Sequence, residues 1–146
     1  MELIHCKDSN GYEYLKKYDS NGNVLWERIN KNAYLFFKTR ETSDGGALAL
    51  GLYNEENNQK NQVSNLRPLV LVRYDSNGTI LWEKVITLDK GYNSKRLILS
   101  SSIDVVSNEN IIFSFNEIII KLDKNGNVLW SKQLNQVNDS NTKINI

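Results

Sequence analysis

The 146-residue sequence has only one Cys and one His, and its charges nearly cancel. A single Cys cannot form an intramolecular disulfide, and one His with one Cys cannot build a metal site of that type. The net charge of +1 provides no field that attracts nucleic acid or an anionic membrane. No apolar run approaches the roughly 18 to 20 residues that span a bilayer, and the N-terminal MELIHCKDSN lacks the pattern of a secretory signal. We therefore expect a cytoplasmic protein that binds neither nucleic acid nor membrane.

One short pattern occurs three times along the chain. KKYDSNGNVLWERI (16–29) returns as VRYDSNGTILWEKV (72–85) and as IKLDKNGNVLWSKQ (120–133). In each copy an Asn-Gly pair lies between two apolar segments, which is the strongest short signal of a β-hairpin with a type I′ turn. A repeat at this spacing indicates stacked supersecondary units. The sequence therefore predicts three equivalent hairpins.

Two further β-rich segments precede the second and third hairpins. YLFFKTRETSDGGALALGLY begins at Tyr34 and KRLILSSSIDVVSNENIIFSF begins at Lys95, and a turn-like cluster divides each of them. Together with its hairpin, each segment gives a unit of four antiparallel strands. We predict a single all-β domain, 1–146, that contains a partial unit 1–30, two whole units 33–86 and 95–134, and a tail strand 142–146.

Two segments carry a family resemblance, LIHCKDSNGYEYLKKYDSNGNVLWERI and NIIFSFNEIIIKLDKNGNVLWSKQL. Both resemble the repeat of PQQ-like β-propellers, in which an apolar strand, an Asp, a Gly turn and a Leu-Trp pair follow one another. The resemblance covers nearly the whole chain and implies about three propeller-like blades, with Trp26, Trp82 and Trp130 docked between neighbouring blades. A β-sandwich or barrel of the same strands is the alternative. Enzymes of the family bind a quinone and a metal, but no matching motif is present here, so we expect no cofactor.

The Asp-x-Asn-Gly-Asn turns are candidate calcium sites, because they place oxygen atoms at alternate positions (Asp19, Asn21, Asn23; Asp123, Asn125, Asn127). A calcium loop of about twelve residues also needs a distant bidentate Glu, whereas these turns run directly into an apolar strand. We therefore expect Asp19, Asp75 and Asp123 to accept hydrogen bonds within their own turns and no metal to bind. Lys17, Arg73 and Lys121 precede these Asp by two residues, and they are expected to pair either with the Asp or with the next unit.

Catalytic groups are scarce. His5 and Cys6 are neighbours in a predicted strand, where successive side chains point to opposite faces, so they do not form a nucleophile–base pair. Gly45-Gly46 lacks the following helix and the Lys-Ser/Thr pair of a phosphate loop. We predict no catalytic residues and no enzyme.

The segment Asn54–Pro68 is the most distinctive loop. It holds five Asn, two Gln, two Glu, one Lys and one Arg, a composition that cannot form a core but offers many hydrogen-bonding groups. A tolerated surface insertion is the simpler interpretation. The functional interpretation is a partner-binding site that consists of Asn54, Glu55, Glu56, Asn57, Asn58, Lys60 and Arg67.

These expectations favour a non-catalytic protein-binding module, such as a scaffold, an inhibitor or an immunity-type protein, with a protein of unknown identity as its partner. A carbohydrate-binding lectin is one alternative, although Leu122 occupies the position of Tyr18 and Tyr74, so no aromatic is plainly repeated. A small enzyme is the other alternative, which the scarcity of catalytic groups disfavours.

The tail NDSNTKINI aligns with GYNSKRLIL, the start of the first strand of the third unit. The first unit lacks that strand, and three blades are fewer than the four to eight that propellers typically use. We therefore predict a homodimer in which the tail of each chain completes the first unit of its partner, with an open three-blade monomer as the alternative.

Overall fold

The computed structural model describes residues 2–54, 68–88, 101–115, 117–134 and 144–146. Within these ranges the chain forms strands, turns and one short 3₁₀ turn (Ser107–Glu109), and no α-helix. The predicted all-β class is confirmed, and no helix in the described residues could cross a membrane. The strands are β1 (Glu2–Lys7), β2 (Glu13–Tyr18), β3 (Val24–Asn30), β4 (Ala33–Glu41), β5 (Ala47–Tyr53), β6 (Leu69–Tyr74), β7 (Ile80–Leu88), β8 (Ser102–Val105), β9 (Ile111–Phe115), β10 (Ile118–Leu122), β11 (Val128–Gln133) and β12 (Ile144–Asn145).

The strands form three antiparallel sheets in which successive strands are neighbours. Sheet 1 has the order β1-β2-β3, sheet 2 has the order β4-β5-β6-β7 with β12 beyond β7, and sheet 3 has the order β8-β9-β10-β11. Consecutive strands pair in an up-and-down meander, and short turns join them except for β5 and β6, which the loop Asn54–Pro68 joins. The last meander strand of each sheet, which we call its outer strand, is β3, β7 or β11. These three strands hold equivalent positions, and the three Leu-Trp segments lie at their beginnings.

Sheet 2 lies between the other two sheets, and the burial of its central strands shows this directly. All six residues of β6 are buried, and so are the first six of β5. Val70 and Val72 pack towards sheet 1 with Leu15, whereas Leu69 and Leu71 pack towards sheet 3. Because side chains alternate between the two faces of a strand, a strand with both faces covered is apolar at nearly every position. The charged residue of β6, Arg73, is buried with its charge paired.

The sequence of β10 is also apolar on both faces at Ile118, Ile119 and Ile120, which predicts cover on both sides, but this prediction is correct for one face only. Ile118 and Ile120 are buried against sheet 2, but Ile119 is half-buried. The difference arises because no further sheet of the described chain covers the outward face of sheet 3.

The repeated turns differ from the predicted type I′. The backbone φ is positive at Gly22, Gly78 and Gly126, at +82°, +77° and +81°, but it is not positive at the Asn before each of them. Gly22 N donates to Asp19 O at 3.1 Å, and Asp19 N donates to Asn23 O at 2.9 Å. These are type I turns followed by a left-handed Gly, the common three-residue hairpin loop. The type I′ prediction is wrong because an Asp at the first position hydrogen-bonds the turn amides and favours type I.

Each repeated hairpin also contains a β-bulge at the same place. One residue of the outer strand is skipped where the pairing shifts by one position. The extra residue twists the strand and changes the direction of the adjacent side chains. The skipped residues are Leu25, Leu81 and Leu129, each directly before a Trp.

The described part of the tail extends sheet 2. Ile144 lies opposite Leu88, and Asn145 lies opposite Thr87, so β12 pairs with the end of β7. Within one chain the tail therefore lies beside β7 and not beside β1. The exchange of tails between two chains stays a prediction.

Candidate functional site

Only the two ends of the predicted partner-binding loop are described. Tyr53 N donates to Pro68 O at 2.8 Å, and Asn54 N donates to Asn32 O at 2.8 Å. The loop therefore leaves sheet 2 and returns to it at adjacent points, next to the connection between β3 and β4. The other predicted site residues lie outside the described residues, namely Glu55, Glu56, Asn57, Asn58, Lys60 and Arg67.

Trp26 of sheet 1 packs on a turn of sheet 2. A Cβ atom added to Gly78 would lie 2.7 Å from Trp26 Cδ2, so the indole occupies the space of any side chain there. The ring also stacks on Tyr74, with 5.8 Å between ring centroids, and Trp26 is only 6% exposed. Arg28 Nη2 donates to Asn77 O of the same turn at 2.7 Å. Within the described residues, Trp26 Nε1 has no hydrogen-bond partner.

Trp82 of sheet 2 makes the equivalent contact with sheet 3. A Cβ atom at Gly126 would lie 3.1 Å from Trp82 Cδ2 and 3.0 Å from Lys84 Cε. Trp82 Nε1 donates to Lys124 O of that turn at 2.9 Å. Gly is thus required in these turns for two reasons, the positive φ and the close approach of an indole.

Trp130 holds the same position in sheet 3 but is 38% exposed. At the other end of the chain, a Cβ atom added to Gly22 would meet no atom within 4 Å. The described chain therefore begins with a turn that no indole covers and ends with a Trp that covers no turn.

Two buried cations connect the sheets. Lys17 is 2% exposed, and its Nζ lies 2.9 Å from Glu41 Oε1 of sheet 2 and also donates to Gly45 O. Arg73 Nη2 lies 3.9 Å from Glu109 Oε2 of sheet 3. Lys17 thus pairs with the next sheet, which is one of the two predicted alternatives. The shortest ion pair of Arg73, at 2.8 Å, is with Asp44 of its own sheet, which neither alternative predicted. Lys121 forms no ion pair with any residue that the structure describes.

Arg73 also organises the turn between β4 and β5. Its Nη2 donates to Asp44 Oδ2 at 2.8 Å, and Thr42 Oγ1 donates to Asp44 Oδ1 at 2.6 Å. Partial burial alone would raise the pKa of Asp44, but the hydrogen bonds from Thr42 and Arg73 outweigh it and hold the pKa at about 2. The carboxylate thus stays ionised beside a guanidinium that is itself buried.

The Asp of each repeated turn bonds within its own turn, as predicted. Asp19 Oδ1 accepts from the backbone amides of Asn21 and Asn23 at 2.8 and 2.9 Å, and Oδ2 accepts from Asn23 Nδ2 at 3.0 Å. Asp75 and Asp123 make the same backbone contacts. The Asn side-chain amide, and then the backbone amides, lower the pKa of Asp19 and of Asp123. In the described ranges, no three His, Cys, Asp or Glu side chains are grouped so that they could hold a metal ion.

Sequence reasoning did not find a polar contact between sheets 1 and 2. Glu13 is fully buried, and its Oε1 accepts from Phe36 N at 3.0 Å and lies 3.4 Å from His5 Nδ1. The two partners of Glu13 come from different sheets, 8 and 23 positions away in sequence, so no local pattern indicated them. His5 therefore faces a structural carboxylate.

An exposed apolar pair begins each outer strand. Each residue of these pairs is 46–55% exposed, and the pairs are Val24-Leu25, Ile80-Leu81 and Val128-Leu129. Single exposed apolar residues are ordinary, but recurrence at one position in three sheets marks a surface of defined pattern. We call these six residues the outer apolar pairs. The repeated Val/Ile-Leu-Trp was visible in the sequence, but the bulge that exposes both residues was not.

No family model matches the chain, and none of the curated proteins matches it. Among solved structures, a protein of unknown function from Bacteroides caccae superposes with a TM-score of 0.51 and 14% identity. The alignment covers 90% of this chain and 45% of that one, so the chain spans about half the length of that protein. At this identity the similarity shows a shared fold alone.

Proposed function

We propose that the three sheets are blades of a β-propeller-like repeat related to the PQQ-like propellers. Three observations support this: the meander order of each sheet, the same Asp-x-Asn-Gly turn before each outer strand, and the packing of Trp26 and Trp82 on the turn of the next sheet. The last is the contact that the resemblance implies for these Trp side chains. A rigid stack of such sheets holds its outer strands and turns at fixed spacing.

On this scaffold we propose a non-catalytic protein-binding module, and the outer apolar pairs carry the proposal. They lie at the ends of outer strands, and β3 and β11 are edge strands among the described sheets. The unpaired backbone groups of an edge strand accept an additional extended segment. The pairing of β12 with β7 is an example within this chain. The partner that fits is a protein segment that pairs with an outer strand and covers the adjacent apolar side chains.

The loop that joins β5 to β6 is the second candidate surface. Its ends are fixed by the Tyr53–Pro68 and Asn54–Asn32 hydrogen bonds, so its sequence can change without loss of strand pairing. The amide-rich composition of Asn54–Pro68 suits polar recognition at the rim of an apolar contact. The loop would thus add specificity to a contact that the outer apolar pairs stabilise.

We also propose a cytoplasmic location. Cys6 is the only Cys in the sequence, and it is exposed. An exposed free thiol persists in a reducing compartment, where disulfides are rare.

Capture of partners from host extract with the tagged full-length protein tests this function. A protein that the wild type captures is expected to be lost when Leu25, Leu81 and Leu129 are all replaced by Ser. The matched control replaces three exposed apolar residues away from the outer strands by Ser, namely Ile4, Tyr12 and Tyr34. A second variant replaces residues 55–67 by a short Gly-Ser segment, and thermal denaturation shows that every variant is folded.

The pattern of losses decides between the surfaces. Loss in the Leu triple variant, but not in the control, supports the outer apolar pairs. Loss in the loop variant alone places binding on the loop and contradicts a role for the pairs. Capture that is unchanged in both variants contradicts the proposed binding surfaces.

A further inference from the structure

The contacts between successive sheets follow one rule. The Trp of an outer strand covers the Gly turn of the following sheet: Trp26 covers Gly78, and Trp82 covers Gly126. The basic residue two positions after each Trp lies over the same turn, since Arg28 donates to Asn77 O and Lys84 packs on Gly126. The same interface is therefore built twice within one chain, from the same residue types at the same positions.

The two ends of the chain carry the separate halves of this interface. Sheet 3 presents Trp130 and Lys132, with the Lys132 ammonium 5.7 Å from the indole centroid. Sheet 1 presents the turn Asp19–Asn23, whose Gly22 has φ of +82°, within 5° of the two Gly residues that accept an indole. The Asp19 carboxylate bonds the amides of this turn as Asp75 and Asp123 do in theirs. The turn is thus preformed in the conformation that a Trp covers elsewhere in the chain.

We propose that Trp130 docks on the Asp19–Asn23 turn of a second copy of this chain. Lys132 would then lie over the carbonyl groups of that turn, as Arg28 lies over Asn77 O. The occupant is a second copy because the exposed Trp and the open turn are the two halves of an interface that the chain already forms with itself. This inference concerns self-association, and it does not depend on the proposed binding of another protein.

Two copies can satisfy both open ends at once. The contact joins the last sheet of one copy to the first sheet of the other, so a two-fold pair contains it twice and leaves neither end open. Such a pair holds six sheets, within the four to eight blades of known propellers. Docking of Trp130 does not require the exchange of tails, because β12 stays on β7 of its own chain.

Sedimentation equilibrium on the full-length protein tests the docking. The wild type is expected at about 34 kDa, twice the 16.8 kDa of one chain. Trp130→Ala and Gly22→Ala should each raise the dissociation constant by roughly 30-fold or more, as loss of a hot-spot residue does. Leu129→Ala is the control for the Trp, because the equivalent Leu25 and Leu81 stay exposed beside docked Trp side chains. Gly11→Ala is the control for the turn, since Gly11 has φ of +81° and equally open surroundings.

Mixing the two variants tests whether the contact is head-to-tail. A mixed pair retains one intact interface, between Trp130 of the Gly22→Ala chain and Gly22 of the Trp130→Ala chain. The other interface lacks both the indole and the glycine, and it is no weaker than a singly substituted one because the methyl group added by Gly22→Ala meets no indole there. The mixture should therefore associate more tightly than either variant alone, which a symmetric patch of identical residues would not show.

The docking would be overturned if the wild type stayed monomeric at millimolar concentration, or if both variants formed a dimer as strong as that of the wild type. It would also be overturned if the control substitutions weakened the dimer as much as Trp130→Ala and Gly22→Ala do. A dimer that is lost on removal of residues 142–146 but retained in Trp130→Ala would contradict it as well. A larger assembly that both variants abolish would support the docking and place ring closure at more than two chains.

Discussion

The indole of Trp26 lies directly over Gly78, so closely that a Cβ atom at that glycine would be 2.7 Å from Trp26 Cδ2. The two sheets can approach this closely because the glycine has no side chain. The same glycine has φ of +77°, so the turn geometry and the contact with the indole both require glycine at this position. The repeat therefore encodes the hairpin and its docking on the neighbouring sheet in a single short motif.

Gly78→Ala separates these two demands. The substitution should cost about 1 to 2 kcal/mol for the left-handed backbone and a further 1 to 3 kcal/mol for the overlap with Trp26. Gly11→Ala carries the same backbone cost at a position with no atom within 4 Å, so it should show the first part alone. Urea denaturation of both variants measures the difference. Equal losses would mean that the indole moves away from the added methyl group at no cost.

Truncation of the three Trp side chains should rank with their burial. Trp26→Ala should cost about 3 to 5 kcal/mol, the usual loss for a large aromatic in a core. Trp82 is half-buried, so Trp82→Ala should cost less, although it also removes the hydrogen bond to Lys124 O. Trp130→Ala should leave the unfolding free energy of the isolated chain nearly unchanged, because that Trp is 38% exposed. Urea titration at a concentration below that of self-association measures all three, and the reverse order would contradict these contacts.

The hairpins of this fold are predictable from local sequence, but the coverage of the sheets is not. Asn-Gly between apolar segments correctly indicates where the chain reverses. The turn type depends on the Asp19 carboxylate, and the left-handed residue is Gly22 alone, which a rule based on the Asn-Gly pair misses. Ile119 is apolar, as a residue buried under another sheet would be, but its burial depends on whether another sheet lies beyond sheet 3.

The contacts of the candidate site depend on residues far apart in sequence. The sequence predicts that Lys17 pairs with its own Asp or with the next unit, but the identity of its partner, Glu41, follows from the stacking of sheets 1 and 2. Glu13 showed no signal at all, because its partner is a backbone amide of Phe36. The periodicity of apolar residues in the sequence identifies which side chains are buried. The polar partner of a buried group depends instead on how the sheets pack.

Asp44 should make stability depend on pH below about 4. Its pKa is 3.8 in the unfolded chain and about 2 when folded, so its contribution is complete above the unfolded value and disappears as the pH falls towards 2. Because the carboxylate is 45% exposed, solvent screening reduces the effect to the order of 1 kcal/mol. Asp44→Asn should therefore flatten the fall in unfolding free energy between pH 4 and 2. Asp104→Asn, at a carboxylate that is 73% exposed, is the control, and an equal change in both variants would contradict the role of Arg73.

The ion pair Lys17–Glu41 should couple the sheets more strongly than an exposed pair of shorter distance. Lys17 Nζ is 2.9 Å from Glu41 Oε1 with the lysine 2% exposed, whereas Lys16 and Glu27 are 2.6 Å apart but 28% and 40% exposed. Glu41→Gln leaves a buried cation without its counter-charge, while Lys17→Met removes the cation and lets the partly exposed Glu41 return to water.

A double-mutant cycle with Lys17→Met and Glu41→Gln should therefore give an interaction energy on the order of 1 kcal/mol, with the double variant about as stable as Lys17→Met alone. The matched cycle, Lys16→Met with Glu27→Gln, should give less than about 0.5 kcal/mol, and only its energy should fall further in high salt. Urea denaturation of the seven proteins, with the wild type shared by the two cycles, provides both energies. A coupling that is equal in the two cycles would show that Lys17 is held by Gly45 O and the surrounding apolar packing, and that the charge of Glu41 contributes nothing to the contact between sheets 1 and 2.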